Sequence, residues 1–162
     1  MEATQRKAIV TELIQCIQKG NAHVSFEESV ARLPKDLRTR TPESLPYNIW
    51  QLVEHIRITQ WDIVEFCSSA AHESPPWPKG YWPADVPDEV SDDTWEKSLT
   101  QIEEDRTRFF KLIQNPKRDL LEPFKHGDGQ NLLREALLIA DHNAYHVGEI
   151  IVVRRLLGDW TR

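Results

Sequence analysis

The chain has 162 residues, with 20 Lys+Arg against 26 Asp+Glu and a formal net charge of −6. An acidic balance without any Lys/Arg block longer than two residues gives no electrostatic case for binding a nucleic-acid backbone. Two cysteines, Cys16 and Cys67, far apart and both among apolar neighbours, exclude a disulfide-rich scaffold and a Cys-x-x-Cys redox or zinc pair.

A length of this order fits one domain, expected over residues 1–162, with a core large enough to fold without crosslinks. No apolar run approaches the length of a membrane span, and the opening residues Met1 to Lys7 carry no leader-like apolar stretch. The expectation is a soluble chain in a reduced cytoplasm, with no membrane partner.

In chain order, a first helix is expected from about Ala3 to Lys19, with Ile9, Val10, Leu13, Ile14 and Ile17 on one face and Gly20 at its end. A short helix from Phe26 to Leu33 starts on a Ser25-x-x-Glu28 capping box and stops at Pro34. The second long helix runs from Pro46 to about Ala70 on the stripe Ile49, Leu52, Val53, Ile56, Ile63 and Phe66. The third is expected to open at Asp93-x-x-Glu96, to carry Trp95, Leu99, Ile102, Phe109 and Ile113, and to end before Pro116. The fourth runs from Leu132 to Leu157 and is closed by Gly158; its middle is apolar nearly all round, which predicts the deepest burial in the molecule.

Four long amphipathic helices without a strand predict an all-α, four-helix bundle with a short extra helix. Between helices two and three lies a long Pro/Trp-rich loop, Ala71 to Asp92, with five of the ten prolines. Trp77, Tyr81 and Trp82 carry too much apolar surface to be left in water, so the loop is expected to pack as an ordered cap.

Six histidines are present, and two of them, His142 and His146, form His-x-x-x-His in the middle of helix four. That spacing places the rings about 40° apart and roughly 6 Å along the axis, close enough to converge on one metal ion. Two readings fit the pair: metal ligands, or core histidines bonded to backbone or carboxylates. The zincin motif is absent, because Asn143 stands where its glutamate would be. His55, near the middle of helix two and beside its apolar stripe, is the candidate third ligand, with Thr59 and Asp62 on the same polar flank. Three ligands leave coordination positions open, as catalytic zinc sites do. His23, His72 and His126 are read as solvated surface residues. Glu135 and Glu149 fall about 20° to either side of the His142 direction, where a carboxylate can orient a ligand histidine, coordinate the ion or move a proton; each can equally be a helix-end charge or pair with an arginine such as Arg57 or Arg154. Glu149 is the candidate catalytic carboxylate.

The segment from Leu132 to Ile151, with His142-x-x-x-His146 followed by Val147-Gly148, resembles the last helix of the DinB/YfiT-like superfamily. Trp50-Gln-Leu-Val-Glu-His55-Ile, with Trp61 after it, is similar to that family's first histidine segment, and Trp77 to Pro83 is similar to a loop of one branch. The resemblance implies a four-helix bundle, a divalent metal on His55, His142 and His146, and a homodimer. Relatives with assigned activity include transferases and an isomerase that use low-molecular-weight thiols; glutamine often stands where this chain has Glu149. Zinc suits three imidazoles best on general grounds, and nickel and iron are compatible with them. Two functions follow as expectations. One is a metal-dependent transferase or hydrolase acting on a small-molecule substrate; the other is a non-catalytic, stress-induced dimeric binding protein whose metal is structural or vestigial.

Overall fold

The computed structural model describes residues 1–160. All regular structure among them is helical: α1 (Ala3–Lys19), α2 (Phe26–Val30), α3 (Ile49–Ser68), α4 (Asp92–Gln114) and α5 (Leu132–Leu156), with 3₁₀ turns at Lys35–Leu37 and Lys79–Tyr81. None of these helices is long and apolar enough to cross a membrane.

The helix ends show what sets the boundaries. Gly20 closes α1 in the left-handed region at φ 64°, where a side chain would be strained. The Ser25/Glu28 box opens α2, but that helix stops at Val30, short of the expected Leu33, because the chain turns through Arg32 at φ 54°. Helix α3 starts at Ile49 and not at Pro46. Its cap is Asn48, whose side chain accepts from Gln51 N at 3.0 Å and donates to Thr39 O at 3.1 Å. Replacing Asn48 with alanine is expected to cost about 1 kcal/mol, read as a lower thermal midpoint with unchanged helix content. Helix α4 starts one residue before Asp93, on Ser91, whose hydroxyl accepts from Thr94 N at 3.1 Å; buried Val90 anchors the entry.

Helix α3 is the centre of the bundle. It packs on both α4 and α5, while α1 covers α5 and α4 at one end and α2 covers α5 at the other. Ile49 to Ile56 share an apolar cluster with Ile150 and Val153, whereas Ile63 and Val64 share a second cluster with Leu132, Ala136 and Ile139. The register therefore runs in opposite directions along α3 and α5. Between the clusters lies a polar layer: the Gln60 amide donates to Ile102 O at 2.6 Å and accepts from Asn143 at 3.2 Å. Burying these amides is tolerable because each finds a partner.

The expectation that helix four is the most buried is corrected. Twelve of the 20 residues of α3 are buried, against nine of the 25 in α5. Leu137, Tyr145, Val152 and Leu156 lie along an outward face of α5 and are exposed. An apolar sequence that goes all round a helix does not say which side meets the other helices. Cys16 is likewise exposed, not lodged among apolar neighbours, while Cys67 is buried and its thiol pKa is pushed up by burial.

Candidate metal centre

The opposite directions of α3 and α5 bring His55 level with His142 and His146. His142 Nε2 lies 3.1 Å from His55 Nε2 and 3.2 Å from His146 Nε2. One ligand nitrogen from each ring falls within 4.8 Å of the others. Two nitrogens each about 2.1 Å from a tetrahedral ion stand roughly 3.4 Å apart, so the donor set has the dimensions of a single first-row metal site.

The outer nitrogens decide which lone pairs face inward. His55 Nδ1 is 2.6 Å from Tyr81 O, and a carbonyl can only accept, so Nδ1 carries the proton. His146 Nδ1 is 2.7 Å from Glu149 Oε2, again an acceptor. Both rings therefore turn a bare Nε2 toward the common point. Facing lone pairs repel unless a cation or proton lies between them, and this pattern of outer carbonyl and carboxylate is how metal-binding imidazoles are held. Burial pushes the pKa of His55 down, and that of His142 down to about 4 with help from the other two rings, so both are neutral ligands at neutral pH.

The supports come from three parts of the chain. Tyr47, just ahead of α3, donates its hydroxyl to Glu149 Oε1 at 2.9 Å. Burial and this carboxylate raise its pKa to about 12, so it remains a donor. Trp82 stacks on His55 with centroids 4.1 Å apart and planes 3° from parallel. Asp62 ties the start of the 71–92 loop to its middle, accepting from Tyr81 OH at 2.8 Å and sitting 2.7 Å from His72 Nε2. Tyr81 is thus held by its hydroxyl while its carbonyl orients His55.

Several sequence expectations change here. His72 is not a solvated surface residue: its side chain is 10% exposed, on Asp62 and edge-on to Trp61. His23 and His126 are exposed, with ring nitrogens on Val24 O and Phe66 O respectively. Trp77, grouped with Tyr81 and Trp82 as a buried ring, is 79% exposed and only touches Tyr81 edge-on. Glu149 does not pair with Arg57 or Arg154, which bind Glu54 and Asp159 instead. Glu135 is buried against Arg134, with 2.7 Å between Arg134 Nη1 and Glu135 Oε1, and burial raises its pKa.

His55 and His142 also form one wall of a cavity of about 370 Å³ that runs between α3 and α5 under Ser74, Trp77 and Tyr81. Its middle is apolar (Ile63, Phe66, Leu138), and Arg134, Glu135 and Gln130 also line it. His146 and Glu149 are not part of its lining. The centre therefore has a supported back and a front that opens on a space large enough for a small molecule.

A helical bundle with three inward histidines from two antiparallel helices defines a class of protein, and comparison with known families agrees. Residues 21–150 match the DinB superfamily, and the chain belongs to it. No curated protein and no solved structure matches the chain.

Proposed function

We propose that this protein is a metal-dependent enzyme, a thiol-dependent transferase or hydrolase, that acts on a small molecule at His55, His142 and His146. The reading rests on one observation above all: three Nε2 atoms 3.1–3.2 Å apart in sequence of contact, beside a cavity. A divalent ion bound there, zinc before nickel or iron, supplies the Lewis acidity that lowers the pKa of a neighbouring water or thiol to near neutrality. The chain's own part is to hold His55 and His142 neutral, to aim all three rings, and to line the cavity in front of them with apolar side chains. The Trp82 ring shields His55 from water.

Glu149 is assigned here as a positioning residue, because both of its oxygens are engaged, one by His146 and one by Tyr47. Replacing Glu149 with glutamine is expected to weaken metal affinity by about 10–100-fold, the usual loss when a carboxylate behind a ligand imidazole is removed. A chelator competition titration reads this directly. An unchanged affinity with abolished turnover would instead make Glu149 the proton-transfer group. The homodimer implied by the resemblance is proposed with the enzyme, and sedimentation at micromolar concentration tests it. The function itself is tested by assaying a panel of thiols with electrophiles, and of small conjugates, on protein of known metal content. Turnover that follows metal content supports it; none across the panel, with one ion bound, favours a binding protein.

A further inference from the structure

We infer that the cavity takes an elongated ligand whose far end is a carboxylate, held by Arg134. The orientation of that ligand rests on the proposed function, since the reacting end is taken to lie at the histidines; the carboxylate site itself does not.

The cavity is long because of the helices that form it. Arg134 precedes His142 by eight residues on α5, which places it about 12 Å along the helix axis. Phe66 lies beyond His55 in the matching direction on α3, and the antiparallel register keeps both walls together. One end therefore offers imidazole nitrogens, the middle offers Ile63, Phe66 and Leu138, and the other end offers Arg134 and Gln130.

Glu135 Oε2 is the one carboxylate oxygen of the lining without a partner among the described residues; the remaining unused capacity lies on Arg134, Gln130 and Thr59. Asp62 has one oxygen on His72 and the other on Tyr81. Glu135 Oε1 is taken by Arg134, and the Gln130 side-chain oxygen by Asp128 N at 2.5 Å. Against that, Arg134 spends only Nη1 on Glu135, so Nε and Nη2 have no partner among the described residues. The Gln130 side-chain nitrogen is free in the same sense, and the buried Thr59 hydroxyl has no partner. A half-exposed guanidinium with one edge open is suited to grip a carboxylate in two-point fashion. Glu135 repels an anion from the deep wall, which directs the carboxylate to the outer edge of Arg134. That edge is also near the N-terminal end of α5, where the helix dipole favours negative charge.

Octanoate and octanol separate the charge from the chain, since the two share an apolar body. Calorimetric titration into the full-length protein as purified is expected to give octanoate at least about tenfold tighter binding than octanol, the value of one charge-assisted pair. Arg134→Gln should remove that preference and Arg134→Lys should keep part of it, both with unchanged circular dichroism. Equal affinity for the two probes, no octanoate binding at millimolar concentration, or an octanoate preference that survives in Arg134→Gln would overturn the carboxylate site; the last would send the carboxylate to the histidines. Mercaptooctanoate, titrated into metal-loaded protein, is expected to bind more tightly than octanoate, a gain lost in His142→Ala. Absence of that gain with the Arg134 dependence intact would contradict the proposed function and leave the carboxylate site standing.

Discussion

Replacing His142 with alanine is expected to lower affinity for a divalent ion on the order of a hundredfold or more, and to leave the bundle folded. His142 is the common neighbour in the triad, 3.1 Å from His55 and 3.2 Å from His146. Removing even a group behind a ligand costs about 10–100-fold, so loss of the middle ligand itself should cost at least the upper end of that range. The fold should tolerate the change, because His142 faces the cavity and belongs to neither apolar cluster. Metal content after dialysis against a weak chelator, and circular dichroism of the same sample, read the two halves separately. Loss of helicity in the variant would mean that the ion is a structural one.

Phe109→Ala should do the reverse: a large loss of stability with the site intact. Phe109 is fully buried in the cluster that joins α1, α3, α4 and the start of α5. Truncating a buried phenylalanine costs about 3–5 kcal/mol through lost burial and the cavity left behind. For a chain of this length that is a fall in melting midpoint on the order of 10 °C. Binding of the ion at a temperature well below the midpoint should remain within about threefold of the parent, since distant sites are close to additive. A loss under about 1 kcal/mol would show that the cluster collapses into the space and is softer than its packing suggests.

Much of this architecture was legible in the chain because periodicity is a local property. The stripes of α1 and α4, except for Ile9, which the structure leaves exposed, the Ser25/Glu28 box and the Gly20 stop all depend on residues within a turn or two of one another. Asn48 and Ser91 were missed as caps because each owes part of its role to its surroundings: Asn48 reaches back to Thr39, and Ser91 follows a residue buried in the core. The three histidines could be singled out by spacing and by family likeness, and the structure brings their rings together. Their supports could not be found that way. Tyr47 lies 102 positions from Glu149, and the Tyr81 carbonyl lies 26 positions from His55, with no pattern connecting either pair. In the sequence His72 reads as a solvated loop residue because nothing local marks it as the partner of Asp62. The one available signal was the placement of Asp62 seven residues after His55, on the same face of α3; a carboxylate there has a reason to be retained beside an apolar stripe only if something binds it.

The centre is most directly tested by X-ray absorption on the protein loaded with one equivalent of zinc. The expected result is one ion per chain with a first shell that includes three imidazole nitrogens at about 2.0–2.1 Å. A shell of oxygens alone, or failure to retain zinc against a weak chelator, would contradict the assignment of His55, His142 and His146 as its ligands.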